Sequence, residues 1–254
     1  MRAPERNRLL AALAAQEYAR VLPDLDSVQL HARQQLTALD EPTERVYFPR
    51  DAVVSMLVLM EDGKVVESAM VGNEGIVGLE VFLGNGLGRE DIVVQIGGMA
   101  GSMRSSAFRT AVRQSVALQT LLQHYSLALM NQLARTAGCN RVHSVEERCA
   151  RWLLMSEDRV GRDSFPLTHE FLARVLGVRR ASVSQTAESL QRAGIIEYRQ
   201  GWIRILDRSG LESVACEDYR LSRDVYDKLY QQRAPSPIPF RTVGSRYASY
   251  LVTG

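Results

Sequence analysis

Glycine placement between residues 164 and 206 constrains this chain more than any other feature. Thr168 is placed to cap a short helix whose apolar face is Leu172, Val175 and Leu176. Gly177 then supplies a tight turn. A second helix, over residues 179–193, turns Val183, Ala187 and Leu190 inward and is ended by Gly194. Two helices joined by a glycine turn at this spacing make a helix-turn-helix. Residues 195–198 and 202–206 read as two short strands with Arg199, Gln200 and Gly201 turning between them, which adds a β-wing. The exposed face of the second helix begins with Arg179, Arg180, Ser182, Ser184 and Gln185, side chains short or forked enough to reach base edges in a major groove. A helical hairpin with a solvated basic face is the plainer alternative, and the wing argues against it.

Charge supports the same reading locally rather than globally. The formal net charge of the whole chain is only +2, but from Phe171 to Arg204 there are six Arg against two Glu. Only Lys64 and Lys228 among the basic residues are lysine, and arginine suits bidentate contacts to phosphates and base edges.

Upstream the pattern changes twice. Residues 5–40 read as helical pieces broken at Pro23, with Leu9, Leu10 and Leu13 at helical spacing. From Val46 to about Arg104 come short runs rich in Val and Ile, separated by turn signals such as Glu61-Asp62-Gly63 and Gly72-Asn73-Glu74-Gly75. This predicts an antiparallel roll or sandwich. From Ser105 the chain is helical again. Leu118, Leu122, Tyr125, Leu129, Gln132 and Thr136 step by 4, 3, 4, 3 and 4, a heptad seam that predicts a dimer interface along a long helix. Ser144 and Glu147 form a capping box, so a fresh helix starts at Ser144, leaving residues 139–143 as a hinge.

The fold class expected is therefore α+β. Residues 1–110 form an N-terminal antiparallel β-roll of the double-stranded β-helix or jelly-roll type with its leading helices. Residues 111–143 form the dimerisation helix and hinge, residues 144–212 the winged helix-turn-helix, and residues 213–254 an unassigned extension. In that extension Pro235, Pro237 and Pro239 suggest a linker after Tyr219.

Several functions are disfavoured. Cys139, Cys149 and Cys216 show no CxxC or Cys/His metal spacing and no disulfide framework, so no metal site is expected and the setting reads as reducing and cytoplasmic. The charged N-terminus is not a convincing signal peptide, and no apolar run approaches the ~20 residues of a membrane span. No nucleophile elbow, Walker loop or zinc-ligand spacing points to an enzyme, and Glu146 and Glu147 are explained by capping. No cofactor is expected. An iron–sulfur cluster lacks cysteines in the roll, and His31 or His124 is a weak basis for haem.

Three segments resemble the Crp/Fnr family of bacterial regulators: VYFPRDAVVSML (46–57), VEERCARWLL (145–154) and FPLTHEFLARVLGVRRASVSQTAESLQRAGIIEY (165–198). The resemblance spans roughly residues 10–220. It implies a roll like the cyclic-nucleotide-binding domain, a homodimer, double-stranded DNA as partner, and contact with RNA polymerase if the protein is an activator. By position, Arg180 matches the family's guanine-reading arginine, and Thr168 and His169 match phosphate-contacting positions, while Arg199 lies on the wing. Ala181 and Gln185 depart from the Glu and Arg of the best-known members, so their operator is not carried over. The family's nucleotide pocket needs a Gly-Glu pair and an Arg-Ser/Thr-Ala triplet. Here the corresponding residues are Gly78-Leu79 and Arg89-Glu90-Asp91. Carboxylates beside a phosphate repel it at a cost of about 1 kcal/mol or more each, and Arg89 is expected to pair with one of them. The small-molecule effector is therefore open and not expected to be cyclic AMP or cyclic GMP. A dimeric ligand-binding module signalling through a protein partner is the alternative class.

Overall fold

The structure, a computed structural model, describes residues 6–231; the proline-rich stretch at 235–239 lies outside the described residues. The N-terminal helices are α1 (Arg8–Ala11) and α2 (Ala15–Val21), followed by a 3-10 turn, Leu22–Asp24, that takes Pro23 in its first positions. The expectation of helix up to residue 40 needs correction. Asp26–Leu30 is strand β1 and Gln35–Thr37 is β2. The DSVQL segment has no helical stripe of its own, and antiparallel pairing with the later strand Gly98–Arg104, Asp26 opposite Ser102 through Leu30 opposite Gly98, decides its conformation.

The roll continues through β3 (Arg45–Pro49), β4 (Val53–Leu59), β5 (Val65–Val71), a short helix α3 (Glu80–Leu83), β6 (Asp91–Ile96) and β7 (Gly98–Arg104). The strands form two antiparallel sheets, ordered β1-β7-β3 and β2-β6-β4-β5. Leu30, Val54, Val71, Ile92, Val94 and Ala100 fill the space between them. Alternation along β4 puts Val54 inside and Ser55 on the opposite face, so the second sheet also has an outer face. There Val53, Met70 and Ile96 join a buried cluster with Trp152, Leu153, Leu172 and Leu176 of the C-terminal region.

Helix α4 (Ser105–Gln114) leads into α5 (Val116–Val142), 27 residues capped by the Ser115 hydroxyl, which accepts from the Leu118 amide at 3.0 Å. Helix α6 (Val145–Val160) begins at the expected capping box: the Glu147 amide donates to Ser144 Oγ at 3.2 Å, and the Ser144 amide donates to Glu147 Oε2 at 2.8 Å. The hinge is shorter than expected. Residues 139–142 complete α5, leaving His143 and the cap Ser144 between the two helices. Strand β8 (Ser164–Pro166), α7 (His169–Leu176), α8 (Arg180–Arg192), β9 (Ile196–Arg199), β10 (Trp202–Ile205) and α9 (Arg208–Val214) complete the winged unit, with sheet order β8-β10-β9.

Residues 218–231, within the unassigned extension, form helix α10 (Asp218–Gln231), which packs back on α5. Tyr226 of α10 is buried beside Tyr125 of α5, ring centroids 6.2 Å apart. No helix among the described residues is long and apolar enough to cross a membrane.

A buried polar network joins these parts. The Arg159 guanidinium of α6 lies 2.9 Å from the Glu74 carboxylate in the turn after β5. It also donates to Gln132 Oε1 of α5 at 3.1 Å and to the Met155 carbonyl at 3.0 Å. The Tyr226 hydroxyl donates to the same Gln132 oxygen at 3.1 Å. The glycines at either end of the Gly72–Gly75 turn are required by this approach. A Cβ on Gly72 would sit 2.5 Å from the Arg159 side chain, and one on Gly75 would collide with the Tyr125 ring.

Candidate nucleic-acid interface

The two-helix unit is fixed from one side by buried apolar residues and left open on the other. Leu172, Val175 and Leu176 of α7 pack against Val183, Ala187 and Leu190 of α8 in one cluster. Thr168 caps α7, its hydroxyl accepting from the Phe171 amide at 3.1 Å, and Gly177 ends α7 in the left-handed conformation, φ 64°. A non-glycine residue would be strained at that angle, so the turn that aims α8 is specified locally.

Arg179, Arg180, Ala181, Gln185, Glu188 and Arg192 are exposed along α8. Arg179 occupies the N-cap position without a side-chain cap, so the first amides of α8 point outward beside two guanidinium groups. The positive end of the helix dipole adds to that charge. Ser182 is half-buried. Ser184 Oγ lies 3.0 Å from Nδ1 of His169. The residue is half-buried there, turned toward α7. The His169 ring in turn stacks on Tyr198 of β9, centroids 4.2 Å apart. Partial burial, with Arg180 nearby, holds the His169 imidazole below its ordinary pKa. His169 thus locks α7, α8 and the wing together.

The wing is tighter than a loop. Gln200 and Gly201, with φ 51° and 79°, form a two-residue turn between β9 and β10, the geometry that matches strand twist. Arg199 is exposed at its edge. Arg204 is exposed too but lies 3.1 Å from Asp163. Trp202, which begins β10 with half its surface exposed, is a further candidate that the helix-turn-helix pattern does not single out. A large aromatic in a turn-flanking position of an otherwise polar wing is the signal that could have found it. Strand β8 has no local signal either, because its three residues are strand only through pairing with β10.

Of the roll residues that correspond to a nucleotide pocket, Leu79 and Glu90 are engaged elsewhere. Leu79 packs in the apolar cluster with Val46, Val81 and Phe108. The Glu90 carboxylate accepts from Ser68 Oγ at 2.7 Å. Gly78 has φ 95° and its Cβ position is closed by Val46. Arg89 is exposed and, contrary to expectation, forms no ion pair among the described residues.

The heptad seam also needs correction. Leu118, Leu122, Tyr125, Leu129 and Gln132 are buried within one chain, against the roll, α4 and α10, and Thr136 is half-buried. The large apolar residues that α5 leaves exposed are Val116, Leu127, Met130 and Val142.

Residues 147–214 match the family model of the Crp-like helix-turn-helix domain. No curated protein matches the sequence significantly. Among solved structures, FixK2 from Bradyrhizobium japonicum is 19% identical, with a TM-score of 0.64 over 76% of this chain and 98% of that one. The c-di-GMP-responsive global regulator CLP of Xanthomonas campestris is 14% identical, TM-score 0.57, over 76% and 99% of the two chains. A CRP/FNR-family transcriptional regulator from Thermus thermophilus is 19% identical, TM-score 0.55, over 75% and 98%.

Proposed function

We propose that this chain is a homodimeric transcription regulator that reads a roughly palindromic operator with the N-terminal half of α8, a reading supported by the match of residues 147–214 to the Crp-like helix-turn-helix model and by the fold it shares with CRP/FNR-family structures. The observation that carries this reading is the open face of α8. Arg179, Arg180 and Gln185 project from a helix whose turn and wing are rigidly braced behind it. Arg180 takes the base-reading role, and Arg179, Arg199 and the Thr168 end of α7 lie toward the phosphates. Selection of bound fragments from a genomic library by the purified chain tests this directly. A recovered motif with two half-sites about one helical turn, ~34 Å, apart is expected. Recovery of random sequence would refute sequence readout.

The second copy is placed on the free face of α5. Val116, Gln123, Leu127, Met130 and Ala134 are exposed and share one heptad phase, displaced from the buried stripe to the other side of the helix. Pairing two such faces in parallel sets the two α8 helices on the same side of the dimer, as a palindrome requires. The departures at Leu79 and Glu90 support operator binding without cyclic AMP or cyclic GMP. A gel shift with and without each nucleotide tests that point, and a tenfold gain with either, about 1.4 kcal/mol, would overturn it.

A further inference from the structure

The fold brings together four side chains that linear spacing kept apart, and the absence of Cys/His metal spacing read from the sequence does not survive that juxtaposition. Cys139 and His143 lie four residues apart at the end of α5, on one face. Cys216 and Asp218 lie at the start of α10, 77 residues beyond Cys139. One donor atom from each falls within 4.8 Å of all the others. We propose that Cys139, His143, Cys216 and Asp218 bind a thiophilic divalent cation of the zinc class, and that the bound ion clamps the joint between the long helix and the DNA-binding domain.

The donor set has the composition and spacing this needs. The two sulfurs are 3.5 Å apart, close to the ~3.7 Å edge of a tetrahedron with metal–sulfur bonds of about 2.3 Å. The cysteines and Asp218 are buried and the His143 side chain is 14% exposed. His143 Nδ1 is buried without a hydrogen-bond partner, 3.6 Å from Asp218 Oδ2, so both atoms aim at the same space. Their other ends are already held from outside. His143 Nε2 lies 3.3 Å from the Glu217 carboxylate, and Asp218 Oδ1 accepts from Arg135 at 2.9 Å. Outer-shell partners of this kind orient imidazole and carboxylate ligands.

Charge around the site points the same way. Arg148 and Arg151 are buried on α6, the Nε of each lacks a hydrogen-bond partner, and neither forms an ion pair with a carboxylate among the described residues. Metal binding would release the two thiol protons to solvent. Two thiolates, one carboxylate and a divalent ion then leave the centre with one net negative charge facing these guanidiniums. Thiolate and imidazole donors select zinc over magnesium or calcium, and four protein ligands leave no open position, so the site is structural or regulatory rather than catalytic. His143 is the residue between α5 and the cap of α6. Tying it to α10 fixes the direction in which the DNA-binding domain leaves the long helix. This last step rests on the DNA-binding reading; the site itself does not.

The test uses the full chain, stripped with a chelator under reducing conditions and titrated with Co²⁺ and then Zn²⁺. One equivalent per chain is expected, with the intense visible bands of tetrahedral, thiolate-bound cobalt that zinc displaces. His143→Gln and Asp218→Asn should weaken binding at least tenfold, and Cys139→Ser with Cys216→Ser should abolish the thiolate band. Cys149→Ser, a buried cysteine outside the site, should leave binding unchanged. Should the double cysteine variant fail to fold, the wild-type spectrum and the His143 variant still decide. A weak octahedral spectrum, no binding, or the loss of two hydrogens to a Cys139–Cys216 disulfide with no metal held by the reduced protein would overturn the assignment. None of these readouts involves DNA, so they fail or succeed independently of the operator experiment.

Discussion

Replacing Arg159 by Met removes a guanidinium from the centre of the molecule and leaves Glu74 behind. Both side chains are nearly inaccessible, 6% and 4% exposed. Without Arg159 the Glu74 carboxylate keeps the Gly72 amide, at 3.1 and 3.2 Å, but no cation. An unpaired buried charge of this kind costs about 3–5 kcal/mol, more than the packing of a methionine stem restores. The second replacement separates charge from shape. Glu74→Gln in the Arg159→Met background can still accept from Gly72 and carries no charge, so most of the loss should return, leaving about 1–2 kcal/mol for the missing hydrogen bonds to Gln132 and Met155. Urea unfolding at fixed protomer concentration, followed by the emission of the buried Trp152, measures both variants. Because Arg159 joins α6 to the roll and to α5, a transition that separates into two steps would locate the loss at that junction. An Arg159→Met variant within about 1 kcal/mol of wild type, or a double variant no more stable than Arg159→Met alone, would refute the argument.

Other expectations follow from the same geometry. Leu127→Glu with Met130→Glu should give a folded monomer in sedimentation, whereas Leu118→Glu with Leu122→Glu should unfold the chain; the reverse pattern would restore the buried stripe as the dimer seam. Arg180→Ala should cost about 1–3 kcal/mol per half-site and relax base choice at one position, while Arg199→Ala should weaken all sequences evenly and flatten the salt dependence; an unchanged selected motif in the first variant refutes the assignment. Glu67 sits between the roll and α6, bonded to Ser55 and Trp152 with Arg151 and Arg159 nearby, and burial pushes its carboxyl up to about 7. A carboxyl raised in the folded state is most stabilising below its unfolded value, near 4.5, and loses that contribution, about 3 kcal/mol in full, as pH rises to 7. Glu67→Gln should flatten the decline in urea midpoint between pH 5 and 8, and an unchanged slope would count against it.

What the sequence discloses here is what short-range chemistry specifies. The capping box at Ser144, the Thr168 cap, the left-handed Gly177 and the wing turn each depend on residues within a few positions, and each is found where the residues place it, within one residue at the ends of α8. Strand β1 is hidden because its pairing partner lies about 70 residues away. The cysteine and histidine cluster was hidden for the same reason, its halves meeting only once α10 folds back on α5.

The long helix is a different case, because its pattern is legible and ambiguous at once. Two stripes run along α5, an apolar one stepping by 4, 3, 4 through Leu118, Leu122, Tyr125 and Leu129, and a second on the same heptad grid in which Val116, Leu127 and Met130 are apolar but Gln123 is not. Periodicity shows that both stripes exist but not what covers either. The discriminating residue is Gln132. In a dimer seam a lone polar residue pairs with its own copy, and its hydrogen bonds can be met by one amide. Here the Gln132 amide donates to the Met70 carbonyl and its oxygen accepts from Arg159 and Tyr226. Three different elements meet at one side chain. A copy of α5 could not supply that asymmetric set, so the stripe containing Gln132 belongs to the chain's own core and the more weakly apolar stripe is the one left free for the second protomer of the proposed dimer.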